Sequence, residues 1–351
     1  MGSVFYNLDE CLRNIDERKK TIDINVGLRP SGNLHIGNVE TLLVSCILSE
    51  SIEEMGYDST VHVNICDLDM PFVNENFDSK GHGYTIINYR DMPDLEGCHD
   101  SFSLHMANEI GQLLGLVNEN VDFNYDFNFF SELQNKLDFR IALKEIFDNN
   151  LEFKKIFYGN QSKKAKINDV FAYPVCLKCK RSSKKSAVYN PQDMSLSSKC
   201  LNDFCENDEF IFSLFDLDYD LALHYFLNDA LRDIVIEPFA DIHVFGGDYS
   251  LKHSLNNMRK IEKVKKIAEI ITPHIPDYFV GPLIQGKDCQ KMGKSKGNGL
   301  NIFELIEKKG NDIIYNMIDF TRKNIINNPE YPKNDSLRID YKQIKDILKI
   351  D

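Results

Sequence analysis

The stretch VGLRPSGNLHIGN, residues 26–38, marks the point where a strand gives way to a helix. It follows a β-prone run at residues 22–26 and passes through a Pro-Ser-Gly turn. His35 and Gly37 come next, at the start of a segment with helical periodicity. Such a turn leaves unpaired backbone N–H groups and the positive end of the helix dipole at one edge of a sheet, where a phosphate binds favourably.

The segments that follow predict a parallel sheet. Residues 39–55 have one apolar helical face, and Gly56 is a suitable stop. The next segment, STVHVNICDLD at residues 59–69, alternates as a strand. A strand, a helix and a second strand form a βαβ unit, so we expect an α/β fold.

The rest of the chain is interpreted from periodicity and composition. We expect mostly helix over 100–158, irregular cysteine-bearing chain over 171–210, helix over 218–232, a helix after HVFGGDYS (243–250), a last strand within DYFVGPLI (277–284), and a mostly helical tail over 299–351.

A lysine-rich loop, KMGKSKGN at residues 291–298, follows the last predicted strand. Its three lysines and two glycines suit a triphosphate whose pyrophosphate must leave with its charge neutralised. Gly37 lets a phosphate approach the backbone, and the His35 imidazole can donate to a phosphate oxygen. Each motif alone is compatible with an ordinary surface turn, whereas the two in this order favour an ATP site.

Composition narrows the class of protein. The 351 residues are 42% hydrophobic, which is enough for a packed core in more than one module. We expect neither a membrane span nor a secretory leader, because no apolar run is long enough. The nine cysteines then indicate a reducing cytoplasm, with metal binding or free thiols favoured over disulfides.

The charge is uneven along the chain. The net charge is −13, yet residues 151–190 carry ten basic and only two acidic side chains. A local positive patch on an acidic body can bind a polyanion such as RNA. A solvated lysine-rich surface loop is the alternative.

Four cysteines have the spacing of a metal site. Cys176, Cys179, Cys200 and Cys205 read C-x2-C-x20-C-x4-C, and two close thiolate pairs suit a structural tetrahedral zinc ion. Four unrelated buried thiols are the alternative. A zinc knuckle would explain how a polar loop stays folded, and it could present cations to the acceptor end of a tRNA.

PSGNLHIGN and KMGKSKGN resemble the two signatures of class I aminoacyl-tRNA synthetases. The segments MPDLEGCHDSFSLHM (92–106), YPVCLKCKR (173–181) and IEPFADIHVFGGDYS (236–250) resemble class I lysyl-tRNA synthetases. The resemblance spans residues 24 to about 300. It implies a Rossmann-type parallel sheet with a helical and zinc-knuckle insertion and a short helical tail. We expect the parts to be residues 1–98 (first half of the core), 99–215 (insertion, with the knuckle at about 171–210), 216–300 (second half of the core) and 301–351 (tail).

The resemblance also implies roles for individual residues. ATP and Mg²⁺ are the expected cofactors, with an aminoacyl adenylate and pyrophosphate as products. His35, Lys291 and Lys294 are the expected catalytic residues. The expected ATP-binding residues are those three with Ser31, Gly32, Gly37, Asn38, Gly247, Asp248, Met292 and Ser295. The expected amino-acid-binding residues are Arg29, His99 and His243, with ordinary packing as the alternative role for His99. Asp67 is added on its position: Asp67 and Asp69 end the second strand, at the edge where ligands collect, so one of them could contact a substrate ammonium group, and a helix N-cap is the alternative role for Asp67.

The chain departs from the family pattern in three places. Gly293 stands where the family has serine, which predicts a slower reaction. PFADIH replaces a glycine-lysine-aspartate-histidine run, so Asp241 and His243 are only approximately in register. The chain has no tryptophan, although the family places one before that run.

Only 53 residues follow the lysine loop, where the lysyl-type enzymes have a large anticodon-binding region. Three hypotheses follow. The protein charges tRNA with lysine through acceptor-arm contacts, it passes an activated amino acid to a small molecule or carrier protein, or it is an inactive nucleotide- or RNA-binding regulator. The intact His35 and the paired lysines argue against the third.

Overall fold

The computed structural model describes residues 2–69, 85–94, 96–159, 170–183, 186–202, 205, 209–235, 240–252, 258–272, 274–292, 299–326 and 337–350. None of the helices in these ranges combines the length and the apolar character that crossing a bilayer requires.

Fifteen strands lie within the described ranges. They are β1 (Val4–Phe5), β2 (Thr21–Leu28), β3 (Asp58–Ile65), β4 (Thr85–Ile87), β5 (Asn124–Phe129), β6 (Ala172–Pro174), β7 (Arg181–Ser183), β8 (Val188–Asn190), β9 (Ser195–Lys199), β10 (Glu209–Ser213), β11 (Leu221–Leu223), β12 (Ile242–Phe245), β13 (Asp277–Val280), β14 (Leu283–Ile284) and β15 (Arg338–Ile339).

The same ranges contain eleven α-helices. They are α1 (Leu8–Arg13), α2 (Ile36–Glu54), α3 (Phe102–Asn118), α4 (Phe130–Gln134), α5 (Leu137–Asp148), α6 (Asn150–Tyr158), α7 (Tyr225–Val235), α8 (Lys260–Ile271), α9 (Ile302–Lys309), α10 (Asp312–Thr321) and α11 (Tyr341–Leu348). A 3₁₀ turn spans Gly247–Ser250 and a π-helical turn spans Arg322–Ile326.

The centre of the fold is a six-stranded sheet in the order β1-β13-β12-β2-β3-β5. Every neighbouring pair in it is parallel, so all six strands end at the same edge. The predicted α/β fold with a parallel sheet is therefore confirmed. Strands β2 and β3 are buried on both faces, as is usual for parallel sheets, although only one face of each strand is apolar. The other face carries buried polar side chains, among them Asp23, Asn25, His62 and Asn64.

Helix α2 joins β2 to β3 and lies almost wholly in the core. It begins at Ile36, three residues before the predicted start, because His35 caps its first turn. It ends at Glu54, and Gly56 follows with a φ of +91°, a conformation that glycine adopts without strain. The helix therefore holds the turn at residues 29–35 against the carboxyl edge of the sheet.

Three regions differ from the sequence-based expectation. Helix was expected over 218–232, but the structure has strand β11 there and α7 begins only at Tyr225. Residues 100–158 were expected to be mostly helical, but they also contain β5, which pairs with β3 at the sheet edge. Residues 171–210 were expected to be irregular, and the structure has short antiparallel strands there, including β8, β9 and β10.

Candidate active site

A cavity of about 440 Å³ opens at the carboxyl edge of the sheet, where the loops after β2, β3, β12 and β13 meet. Nine of the residues predicted for the site line it: Arg29, Ser31, His35, Gly37, Asn38, Gly247, Asp248, Lys291 and Met292. The cleft thus combines the turn before α2 with the start of the lysine loop.

Backbone contacts join these two segments directly. The chain leaving the lysine loop pairs with the turn before α2: the Ile36 N–H donates to the Leu300 carbonyl over 3.1 Å, and the Ile302 N–H donates to the Leu34 carbonyl over 3.0 Å. On the other side of the loop, the Met292 N–H donates to the Ile284 carbonyl of β14 over 2.9 Å. Both ends of the lysine loop are therefore anchored at the cleft.

His35 lies at the mouth of α2 and is held as a neutral imidazole. Its Nδ1 accepts the Gly37 N–H over 3.1 Å. Burial, assisted by the nearby Lys291 ammonium and opposed by Asp248, lowers the pKa of His35 to about 4. Because Nδ1 is an acceptor, the proton of the neutral ring is on Nε2, which can donate to a ligand.

Two glycines let the backbone approach other groups closely. A Cβ on Gly37 would lie 3.1 Å from the His35 ring atoms Cε1 and Nδ1. A Cβ on Gly247 would overlap the backbone of Pro282 and Leu283. The absence of side chains at these positions keeps the His35 ring in place and brings the loop after β12 against the loop after β13.

Asp248, in the 3₁₀ turn after β12, binds two lysines through one carboxylate oxygen. Its Oδ2 lies 2.7 Å from Lys260 Nζ and 2.9 Å from Lys291 Nζ. Burial favours a higher pKa for Asp248, but the two ammonium groups outweigh it and lower this pKa to about 2. The carboxylate is therefore ionised at neutral pH, and both lysines face the cleft.

The end of the cleft beside α7 contains charged groups that compensate each other. Arg29 Nε donates to Asp69 Oδ2 over 2.7 Å, and the Asn228 side-chain amide donates to the other Asp69 oxygen. From helix α7, Arg232 Nη2 donates to Asp229 Oδ1 over 3.0 Å. This end therefore presents two guanidinium groups and two carboxylates.

Arg232 is held by groups on three sides. It also contacts His243 Nε2 over 2.9 Å and Cys66 Sγ over 3.3 Å. A Cβ on Gly27 would overlap its guanidinium group, so this glycine of β2 makes room for it. The predicted residue His243 is buried in β12, is not among the described residues that line the cleft, and contacts the cleft residue Arg232.

The family model for class I (K) tRNA synthetases matches residues 7–212, more than half of the chain. The chain belongs to this family. The resemblance seen in the sequence motifs is thus confirmed at the family level.

Curated relatives of this synthetase-family chain carry the name lysine–tRNA ligase. That of Pyrococcus horikoshii is 25% identical over 142 residues, which make up 40% of this chain and 27% of the relative. That of Archaeoglobus fulgidus is 26% identical over 141 residues, 39% of this chain and 28% of the relative. The chain thus covers about a quarter of the length of either relative.

Among solved structures, methionyl-tRNA synthetase of Mycobacterium tuberculosis in complex with methionyl-adenylate overlays this chain with a TM-score of 0.44. The sequence identity is 11%, over 93% of this chain and 67% of that chain.

Some predicted site residues of this synthetase-family chain lie away from the cleft. Gly32 and Asp67 do not line it, and the Asp67 carboxylate accepts the Ser131 N–H over 2.9 Å and the Ser131 hydroxyl over 2.5 Å. Burial raises the pKa of Asp67 to about 6, although the hydrogen bonds from Ser131 oppose this. Lys294 and Ser295 fall outside the described residues.

Several cleft residues were missed by the sequence-based analysis. They are Thr41, Tyr225, Asp229, Arg232, Tyr249 and Lys260, whereas Asp69 was the alternative to Asp67. Tyr225, Asp229 and Arg232 follow each other at helical spacing along α7 in an otherwise largely apolar helix, and this was the available signal.

The four predicted metal-ligating cysteines lie together. Their sulfur atoms are all within 4.8 Å of one another, with Cys176 Sγ 3.8 Å from Cys205 Sγ and Cys179 Sγ 3.6 Å from Cys200 Sγ. Burial raises the pKa of the Cys179 and Cys200 thiols. The donor set and its spacing fit a zinc ion, whose charge stabilises thiolates.

A second group of possible metal ligands contains His99, which was predicted to contact the amino acid. Donor atoms of Asp94, Cys98, His99 and His105 lie within 4.8 Å of one another, at the start of α3. Cys98 Sγ lies 3.0 Å from His99 Nδ1 and 3.2 Å from His105 Nδ1. His99 belongs to this group and does not line the cleft.

Proposed function

We propose that this chain activates lysine with ATP, forming lysyl adenylate and pyrophosphate, and transfers the lysine to tRNA. The observation that carries the proposal is that His35 and Lys291, far apart in the sequence, line the same cavity. Family membership supports the use of ATP and an amino acid. The names of the curated relatives make lysine the first amino acid to test.

In this proposal the nucleotide lies at the α2 end of the cleft. His35 donates a hydrogen bond from its Nε2–H group to a phosphate oxygen while the lysine carboxylate attacks the α-phosphorus. Lys291, together with Lys294, stabilises the negative charge that moves onto the leaving pyrophosphate. Gly247 and Asp248 lie beside the ribose, and Mg²⁺ accompanies the triphosphate.

The amino acid lies at the opposite end, against α7. Lysine has two ammonium groups, and this end of the cleft has two carboxylates, Asp69 and Asp229. Arg29 and Arg232 keep these carboxylates oriented before the ligand arrives. Preorganised charges of this kind bind a substrate with little loss of conformational entropy.

The acceptor is proposed to be the acceptor arm of tRNA, with the cysteine cluster as a zinc knuckle that supports the insertion. We retain the proposed division into a core (1–98 and 216–300), an insertion (99–215) and a tail (301–351). Transfer of the activated amino acid to a small molecule or a carrier protein is the second candidate.

ATP–pyrophosphate exchange by the purified chain tests the proposal. It should be measured with each amino acid, with and without tRNA. Exchange that depends on lysine, together with charging of tRNA, supports the proposal, whereas lysine-dependent exchange without any charging supports the second candidate. Absence of exchange, or exchange that does not depend on an amino acid, contradicts both.

A further inference from the structure

We propose that Lys260, the first residue of α8, is a phosphate-binding residue of the cleft. Lys260 and Lys291 would form a two-cation site, oriented by Asp248, that binds the polyphosphate chain of the nucleotide. This inference rests on the proposed function and adds a residue that neither sequence motif contains.

The start of α8 fixes where the Lys260 side chain begins. The Lys260 N–H donates to the Leu251 carbonyl over 3.1 Å. The preceding Arg259 N–H donates to Glu262 Oε2 over 3.2 Å as part of a capping box. The backbone at Lys260 is therefore held in place, and its ammonium group reaches the Asp248 carboxylate at the cleft wall.

The charges at this end of the cleft do not cancel. Lys260 and Lys291 contact the same oxygen of Asp248, so two positive charges share one negative charge. His35 adds no charge at neutral pH, since its pKa is about 4. Among the described residues that line this end, the cluster is therefore net positive and can accept an anion.

The other end provides a contrast. Arg29 is paired with Asp69, and Arg232 with Asp229, so each cation has its own carboxylate. Excess positive charge within the described cleft thus lies beside His35 and the first turn of α2, where the backbone N–H groups also favour a phosphate. A zwitterionic ligand suits one end and a polyanion suits the other.

A purely structural lysine looks different in this protein. Lys263, one turn along α8, is fully buried and donates to the Phe157 carbonyl over 2.9 Å. The side chains of Lys260 and Lys291 remain 24% and 45% exposed, on the cleft side. Both ammonium groups can therefore exchange or share their contact with Asp248 when a phosphate enters.

Calorimetric titration with Mg²⁺-ATP and with adenosine tests this role without requiring turnover. The proteins compared are the parent chain, Lys260→Gln, Lys260→Arg and the matched control Lys252→Gln, which changes an exposed lysine outside the cleft. We expect Lys260→Gln to weaken ATP binding about tenfold or more, because one charge-assisted contact is lost. Adenosine binding should change less than about twofold. Lys260→Arg keeps the charge and should bind ATP more tightly than Lys260→Gln, whereas Lys252→Gln should bind ATP like the parent.

The salt dependence of ATP binding gives a second readout that a structural role would not change. Binding by Lys260→Gln should weaken less steeply with added KCl than binding by the parent, since fewer charges are paired on binding. Equal ATP affinity in a folded Lys260→Gln variant overturns the inference and leaves the proposed function standing. An equal loss of affinity for ATP and for adenosine in Lys260→Gln also overturns the inference. If the parent does not bind ATP, both the inference and the proposed function are wrong.

Discussion

The His35 Nδ1 atom accepts a hydrogen bond from the Gly37 N–H over 3.1 Å, within the first turn of α2. A side chain at position 37 would crowd the same ring, since a Cβ on Gly37 would lie 3.1 Å from His35 Nδ1. One glycine therefore sets both the orientation of the imidazole and the position of its proton on Nε2.

Gly37→Ala should separate stability from activity. The added methyl group displaces the His35 ring, so we expect ATP–pyrophosphate exchange to fall about tenfold or more, as for loss of a positioned hydrogen-bond donor. Stability should change little, because the gain of about 1 kcal/mol from replacing glycine by alanine in a helix is offset by a loss of about the same size when the His35 cap is displaced. Exchange kinetics and thermal melting measure the two effects.

Gly115→Ala is the matched control for this prediction. Gly115 lies in α3, is exposed, and a Cβ there meets no atom within 4 Å. We expect slightly higher stability and unchanged exchange. Parent-like exchange by Gly37→Ala would mean that the orientation of His35 does not matter for the reaction.

His62 links three adjacent strands and predicts a pH-dependent stability. Its ring contacts Asp23 of β2 over 2.9 Å and Asp126 of β5 over 2.8 Å. Burial favours a lower pKa, but the two carboxylates raise the pKa of His62 to about 9. The charged ring thus stabilises the fold fully below the unfolded-state pKa of about 6.5, and this contribution is lost as the pH rises through about 9.

Urea unfolding at pH 6 and pH 9.5 measures this effect. Between pH 6 and pH 9.5 the free energy of unfolding should fall by on the order of 1 kcal/mol more in the parent than in His62→Gln. The difference is modest because the Asp126 carboxylate is half exposed and screened by solvent. His274→Gln changes an exposed histidine and should behave like the parent. The same pH dependence in the parent and His62→Gln would disprove the assignment.

Substitutions in the cysteine cluster should reduce the amount of bound zinc. Cys176→Ser and Cys205→Ser should each lower the zinc content by about one ion per chain and lower the melting temperature, because a structural zinc contributes directly to folding. Cys289→Ser is the control, since this exposed cysteine lies in neither ligand group. An unchanged zinc content in both cluster variants would contradict the zinc assignment.

A substitution at the α7 end of the cleft should weaken binding of the amino acid and leave binding of ATP nearly unchanged. Asp229 accepts from Arg232 and, over 2.5 Å, from the Tyr249 hydroxyl, and it faces the cavity. Asp229→Asn should raise the KM for lysine about tenfold or more and leave the KM for ATP within about threefold, because a contact to a charged group is lost at one end only. Asp218→Asn, at an exposed position, is the control. Equal increases in both KM values would mean that Asp229 does not contact the amino acid selectively.

The sequence was informative where the signal is local. The strand, turn and helix around His35 are encoded within one stretch, and α2 began only three residues before the predicted start. Strand β5 was missed because NYDFNF is short and lies between helical segments, although its alternation of polar and aromatic residues is typical of a half-buried strand. Its pairing with β3, which is not a local contact, extends the sheet to a sixth strand.

The two aspartates after β3 show why site residues are harder to predict. Asp67 and Asp69 both follow the strand, and Asp67 was chosen as the contact to the amino acid. In the structure Asp67 holds the start of α4 through Ser131, while Asp69 faces the cleft beside Arg29. Which of the two points inward depends on how α4 and α7 pack against the loop, information that the spacing of two residues does not contain.

The most direct test of the account is a crystal structure of the protein with Mg²⁺ and a non-hydrolysable ATP analogue. We predict that His35 Nε2 and Lys291 Nζ both lie within hydrogen-bond distance, about 3 Å, of the same triphosphate. A nucleotide bound outside this cleft, or one that contacts neither side chain, would contradict the account.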